Sequence, residues 1–288
     1  MKKFFTILAG ILLLAACAGH DHPVEINYQL TATIDIMRVV SYIKDIDGSM
    51  IYDNGELMYK DDHIVLSYML YDKSGNLVAN ENVKPKSFSE KATITKSVKE
   101  GEYTIVVYAY LGDNDLEWWS PMGTDNLNNF KIKFYSNKYY LGSLSCTLGF
   151  YKETISINKS ENLSISVPPA VSFVVLNFQN LSAKGISTVE LGIKTWNDFL
   201  NAADGKANLV EQVNYLVWDL PKGADYSNLL TWLFYLPTSS YTIVWQGLNA
   251  NGAKVTDPFS IPSRAIVAGK TYHIMVDTSS GQTTISEL

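Results

Sequence analysis

Tyr103-Thr104-Ile105-Val106-Val107-Tyr108-Ala109-Tyr110-Leu111 is the stretch that decides the fold class. In an extended strand Tyr103, Ile105, Val107 and Ala109 share one face, while Val106, Tyr108 and Tyr110 share the other. Both faces are apolar, so this strand predicts a sheet covered by a further layer on each side. Outward from it, Ile64 to Tyr71, Val171 to Phe178, Tyr241 to Leu248 and Tyr272 to Asp277 have the same Val, Ile, Tyr and Thr enrichment. With 18 Tyr and 6 Trp, the composition points to an all-β protein. Lys73-Ser74-Gly75-Asn76 and Asn249-Ala250-Asn251-Gly252 each follow a strand and supply residues that accept the positive φ of a tight hairpin. One segment, Thr195 to Ala203, reads as a helix, because Trp196, Phe199 and Leu200 fall at helical spacing and Gly205 stands where a terminator would.

A weak internal repeat organises the chain. Strand Ile64 to Tyr71, the Gly75 turn, Phe88, then Gly101 and Tyr103 opening a strand, matches strand Tyr241 to Leu248, the Gly252 turn, Phe259, then Gly269 and Tyr272 opening a strand. Hairpins reuse such residues, and chance could give the same order. Taken as a repeat, it predicts two tandem β-sandwich domains meeting near Val167-Pro168-Pro169-Ala170, where paired prolines cannot continue a sheet. The expected division is a segment 1–16 before the body, a tether 17–25, and sandwiches over 26–166 and 167–288.

The first residues have their own logic. Lys2 and Lys3 precede an apolar run from Phe4 to Leu14, and small residues Ala15 and Ala16 precede Cys17. That polarity and length are those of a signal peptide, too short to span a bilayer as a mature helix. Leu14-Ala15-Ala16-Cys17 resembles the lipobox of bacterial lipoproteins. The resemblance implies cleavage before Cys17 and acylation of its thiol and amine, and more than one chain makes attachment stable. Ala18 carries no inner-membrane retention signal of the Asp type, so the resemblance implies an outer-membrane address.

Other chemistry finds few residues. A formal charge of -6 argues against a nucleic-acid partner. Once Cys17 is acylated, Cys146 is the one remaining thiol, which excludes a disulfide within the body or a thiolate metal cluster. Of four histidines, His20 and His22 lie in the tether, leaving His63 and His273 for any triad or metal site. No Gly-x-Ser-x-Gly elbow, His-Glu-x-x-His helix or phosphate loop is present, so no enzyme, catalytic residue, metal or cofactor is expected. Asp45, Asp47, Ser49, Asp53 and Glu56 imitate the spacing of a calcium loop, but Met50 stands where its glycine belongs, so the stretch reads as a polar loop. Asp113-Asn114-Asp115 reads as a solvated turn for similar reasons. Trp118 and Trp119 follow an acidic turn and precede Ser120-Pro121; on a loop, exposed indoles there could stack on sugar rings, but Trp is more often buried than ligand-facing, and with Trp218, Trp232 and Trp245 in apolar strands the plainer reading for the whole set is core packing.

A lipobox, two successive sandwiches, a proline-marked junction leading into an apolar strand, and Ala268-Gly269-Lys270-Thr271-Tyr272 opening a last strand together resemble the fimbrillin group, the lipoprotein fimbrial subunits and anchors of gut and oral anaerobes. The resemblance implies transthyretin-like sandwiches, a surface or outer-membrane location, and assembly with other fimbrial subunits by addition of an extended strand to an open sheet edge. It also implies that Arg38, in Asp35-Ile36-Met37-Arg38-Val39-Val40, is a place where stalk-type members would lose their first strand, while anchor-type members keep it. The residues alone allow a plainer reading, a solvated Arg on a strand edge. An outer-membrane glycan-binding lipoprotein using Trp118 and Trp119 is the alternative function.

Overall fold

The computed structural model describes residues 26–44, 47, 62–113, 119–134, 147–193, 196–210, 214–219, 228–235, 238–255 and 259–288. These form strands throughout, with two short 3-10 turns and no α-helix among the described residues. Before residue 167 lie β1 (Asn27–Asp35), β2 (Asp62–Asp72), β3 (Leu77–Val83), β4 (Ala92–Lys99), β5 (Gly101–Asp113), β6 (Trp119–Met122), β7 (Lys131–Phe134), β8 (Leu148–Ile157) and β9 (Glu161–Ser166). After it come β10 (Ser172–Gln179), β11 (Thr188–Ile193), β12 (Trp196–Asn201), β13 (Ala207–Val210), β14 (Asn214–Asp219), β15 (Asn228–Tyr235), β16 (Thr238–Leu248), β17 (Phe259–Ile266), β18 (Thr271–Asp277) and β19 (Gln282–Glu287).

The sheet orders show a repeat. One sheet runs β4-β1-β9 and faces β3-β2-β5-β8 across a core that includes Leu30, Ala32, Ile34, Leu66, Ile105 and Val107. Another runs β15-β10-β18-β19 and faces β14-β11-β16-β17 across Val174, Leu176, Phe178, Val189, Leu191, Trp245 and Ile274. Strand for strand, β1, β2, β3, β4, β5, β8 and β9 correspond to β10, β11, β14, β15, β16, β17 and β18. The opening strand of each half lies between an antiparallel neighbour and a parallel one: β1 between β4 and β9, β10 between β15 and β18. The repeat is therefore real as topology, but the pairing read from sequence was offset. It matched β2 with β16 and β5 with β18, whereas β2 and β5 are hydrogen-bonded neighbours and β16 and β18 lie in different sheets. Turn residues at Gly75 and Gly252, with φ of +82 and +75, caused the offset, since each hairpin needs the same positive-φ residue wherever it falls.

Two hairpins fall outside the repeat, β6–β7 in the first half and β12–β13 in the second. They join edge to edge as one sheet, β13-β12-β7-β6, with Phe199, Leu200 and Asn201 opposite Lys133, Ile132 and Lys131. The ammonium of Lys131 sits 4.4 Å from the centre of the Phe199 ring. This sheet corrects the expected helix over 195–203. A register shift between Asn197 and Phe199 in the pairing with β13 adds a residue to the strand's alternation, so apolar residues recur at helical spacing on an extended chain. Gly205, at φ +68, closes the turn to β13.

The proline junction is held fast on both sides. Phe150 N–H donates to the Pro168 carbonyl, Ala170 N–H to Leu148 and Gly269 N–H to Val171. Phe173 and Val175 of β10 belong to the first core, and Ala170, Val171, Leu200 and Ala202 join Tyr71, Tyr108 and Phe130 in a third. Gly149, opposite Pro169, has no room to spare: a Cβ there would stand 2.3 Å from Val39 Cγ2 and 2.9 Å from Val167 Cγ1. Replacing Gly by Ala on a strand ordinarily helps by up to about 1 kcal/mol through the unfolded chain, but overpacking of this kind costs about 1–3 kcal/mol. Gly149→Ala is accordingly expected to lower the midpoint of chemical denaturation; an unchanged or raised midpoint would show that the junction is slack.

Candidate assembly site

β1 is the element on which the sequence reading placed its functional expectation. Leu30, Ala32 and Ile34 point inward and are fully buried, while Gln29, Thr31 and Thr33 alternate outward. Burying Leu30 and Ile34 alone stabilises the strand's seat by roughly 3–6 kcal/mol. Its end is fastened as well. Asp35 accepts the Met37 N–H at 3.0 Å, pairs with Lys91 at 3.2 Å, and its carbonyl receives the Val167 N–H at 2.9 Å.

Beyond β1 the chain turns through a 3-10 segment, Met37–Val39, into a short wedge. Ile36, Val39, Val40 and Ile43 are all fully buried in the first core. Tyr42 packs against the first and third cores, and its carbonyl accepts the Thr271 hydroxyl of β18 at 2.5 Å. The wedge thus ties the first sandwich to the second. The sequence reading missed it, although Ile36, Val39, Val40 and Ile43 fall at the i, i+3, i+4, i+7 spacing of a helical face.

Arg38 lies on this turn with its side chain exposed, not on a strand edge as the plainer reading had it. The Arg38 carbonyl accepts from the Ser41 hydroxyl, and the bond that follows leads straight into buried Val39 and Val40. Cys17, Cys146 and Trp118 lie outside the described residues, as do all of the calcium-like stretch except Asp47, and Asn114 and Asp115.

Trp119 takes the plainer reading, a packed indole, and corrects both the expected loop and the alternative ligand-facing role. It opens β6, is 3% exposed, and packs with Tyr108, Tyr110, Phe130 and Leu148 in the third core. The Ser-Pro that suggested a loop lies within β6, opposite Lys133 and Ile132 of β7. His63 and His273 stand on β2 and β18, in different sheets, and no group of three His, Cys, Asp or Glu capable of holding a metal occurs among the described residues. Burial lowers the His273 imidazole from its ordinary range, and its Nε2 is enclosed without a hydrogen-bond partner.

At the other end, Asp277 organises the hairpin from β18 to β19. Its carboxylate accepts from the hydroxyls of Ser280 and Ser279, the Asn180 amide and the Ser279 N–H. Those hydrogen bonds, the one from Ser280 foremost, hold it well below the usual carboxylate range.

No family model matches the sequence, and no curated protein is similar to it. Solved structures are similar. A Bacteroides thetaiotaomicron protein named as a candidate polysaccharide-binding protein is 9% identical, with 88% of this chain and 93% of that one covered at a TM-score of 0.53. The fimbrial anchor protein Mfa2 of Porphyromonas gingivalis is 11% identical, with 91% and 97% covered at 0.53. A candidate adhesin of Bacteroides thetaiotaomicron is 13% identical, with 90% and 95% covered at 0.52. The chain shares their fold.

Two outcomes follow from this geometry. Trp119→Ala should cost about 3–5 kcal/mol of stability in a denaturation series, the figure for a buried large aromatic; a loss near zero would return the indole to the surface. For Asp277, a carboxyl with a depressed folded pKa contributes stability above its unfolded value and loses it as pH falls through the folded one. Protection of the β19 amides, taken against the intrinsic exchange rate at each pH, should therefore fall in Asp277→Ala at neutral pH and fall in the unaltered chain on strong acidification, while indifference to both would separate Asp277 from the hairpin.

Proposed function

We propose that the chain is a cell-surface fimbrial subunit, of the anchor type, lipidated on Cys17 at the outer membrane and joined to other fimbrial subunits through β-strand addition. The observation that carries the reading is the seat of β1, an opening strand held between β4 and β9 over an apolar core, in a fold shared with a fimbrial anchor protein and a candidate adhesin. A strand in that position is the natural unit of exchange, because its ladder satisfies two neighbours and its inward residues fill the core. Here the seat is filled by the chain's own β1, which favours a member that keeps its first strand. Arg38 supports the same side: a protease must draw several residues into extended form, and Val39 and Val40 are buried. In this reading the body acts as two units, 26–166 and 167–288, that move together.

The glycan-binding alternative loses much of its basis with Trp119 in the core. One neighbour's name refers to polysaccharide binding, and that name, with Trp118 outside the described residues, is what the alternative keeps.

In a deletion strain the number or length of surface fibres should change, and Cys17→Ser should move the protein from the membrane to the soluble fraction. Unaltered fibres would remove the assembly role. Brief trypsin treatment of the folded protein, read by mass spectrometry, should leave the Arg38–Val39 bond intact while exposed loops are cut. Rapid release of residues up to Arg38 would instead assign the chain to the processed type.

A further inference from the structure

Among the described residues, the second half has a strand with no counterpart in the first. β18 is covered on its outer side by β19, antiparallel from Tyr272–Glu287 to Asp277–Gln282. β9 is the counterpart of β18, and among the described residues no strand pairs with its outer side.

The correspondence can be set residue by residue. Val167 N–H donates to the carbonyl of Asp35, the last residue of β1, and Thr278 N–H donates to the carbonyl of Gln179, the last residue of β10. Aligning those bonds places Lys159 on Lys270, Asn162 on His273, Leu163 on Ile274, Ser164 on Met275, Ile165 on Val276 and Ser166 on Asp277 without a gap. The inward residues agree, since Ile165, Ile274 and Val276 are buried and Leu163 is partly so.

Backbone direction follows from two contacts. Gln29 N–H reaches Ser160 Oγ and the Asp35 carbonyl reaches Val167, so alternate β1 residues from Gln29 to Asp35 face β9. In the parallel register Thr31–Asn162 and Thr33–Ser164, Leu163 and Ile165 turn their peptide groups toward β1. Asn162, Ser164 and Ser166 turn theirs outward. Their counterparts His273, Met275 and Asp277 are the residues that β19 pairs with, through Ser286, Thr284 and Gln282.

Three further features suit this edge to an added strand. Edge strands are ordinarily blunted by lysine, proline or a bulge. β9, Glu-Asn-Leu-Ser-Ile-Ser, has none of these and pairs with β1 without a register shift. Leu163 on β9, and Tyr151 and Ile155 on β8, the facing edge strand joined to it by residues 158–160, are only partly buried at the rim of the first core. Charge is also in place. In the second half Lys270 holds Glu287 at the end of β19 at 2.7 Å; its counterpart Lys159, in the connection just before β9, is 74% exposed, with Glu161 at the start of β9 at 3.6 Å.

We propose that the outer edge of β9 is a docking site for an extended strand of another polypeptide, running antiparallel to β9 and built like β19. Such a strand places apolar or threonine side chains inward at the positions of Thr283 and Ile285, and an acidic residue opposite Lys159. Backbone bonds at Asn162 and Ser164 supply affinity, and the Lys159 pairing fixes the register. The inference rests on the assembly reading above: with its own β1 in place, the chain engages a neighbour at an edge, not in the β1 seat.

The test uses the full chain from residue 18 and a fluorescent peptide of sequence Gly-Gln-Thr-Thr-Ile-Ser-Glu-Leu, that of residues 281–288. Anisotropy should show saturable binding. Ser164→Pro, which removes an outward N–H where an edge strand tolerates proline, should weaken binding by about tenfold or more without loss of folding. Lys159→Glu, at an exposed position that folding does not need, should weaken it too. No saturable binding, binding indifferent to Lys159→Glu, or soluble oligosaccharide displacing the peptide would overturn the proposal. Altered fibres in a deletion strain with no peptide binding would overturn this site alone; peptide binding with unaltered fibres would overturn the assembly reading and leave the edge.

Discussion

A strand in the middle of a sheet must have every backbone group paired on both sides, and in this chain that demand falls on the opening strand of each half. β1 satisfies it through β4 and β9, and β10 through β15 and β18, in each case with one antiparallel and one parallel ladder. A parallel neighbour cannot come from a tight hairpin, so the strand that closes the ladder must come from far along the chain. In sequence β9 comes only after β2 to β8, and β18 only after β11 to β17. Each half is thereby closed by a strand from late in its own sequence, β9 in the first and β18, followed only by β19, in the second.

The same constraint explains why the halves are interlocked. Once β9 has returned to β1, the chain leaves at Val167 beside Asp35 and enters the proline junction, which β8 holds on one side and Gly269 on the other. The wedge after β1 lies under that junction, with Gly149 bare of side chain to admit Val39 and Val167. Tyr42 then reaches β18 through Thr271. The linking sheet of β6, β7, β12 and β13 adds a second crossing, and Lys152 on β8 adds a third by donating to the Ala203 carbonyl. Packing and hydrogen bonds thus join what the sequence presents as consecutive domains.

Much of the fold was legible because it depends on local rules. Strand β5 announced itself by apolar residues on both faces, and its neighbours β2 and β8 supply the sheet in which Val107 and Ala109 face one core and Tyr108 and Tyr110 the other. The hairpin glycines took the positive φ that their neighbours required. Where long-range pairing decides, reading failed. β12 imitates a helix because a register shift spoils its alternation, and β6 imitates a loop because Ser120-Pro121 is compatible with a strand four residues long at the edge of the linking sheet. The repeat was detected but misaligned, since shared turn glycines outweighed the inward apolar series Leu163 and Ile165 against Ile274 and Val276. Of the candidate site, Arg38 was found by resemblance; the wedge behind it, which governs what can happen there, depends on contacts with β8 and β18 that sequence spacing does not reveal.

That β9 and β18 are counterparts, one with no strand on its outer side among the described residues and one covered, is the claim on which the structural account converges, and amide hydrogen exchange read residue by residue tests it most directly. The account predicts that the amides of Asn162 and Ser164 exchange rapidly while those of Leu163 and Ile165, which alternate with them, are protected, and that His273 and Met275 are protected like their neighbours. Equal protection of Asn162 and Ser164 with His273 and Met275 would contradict it.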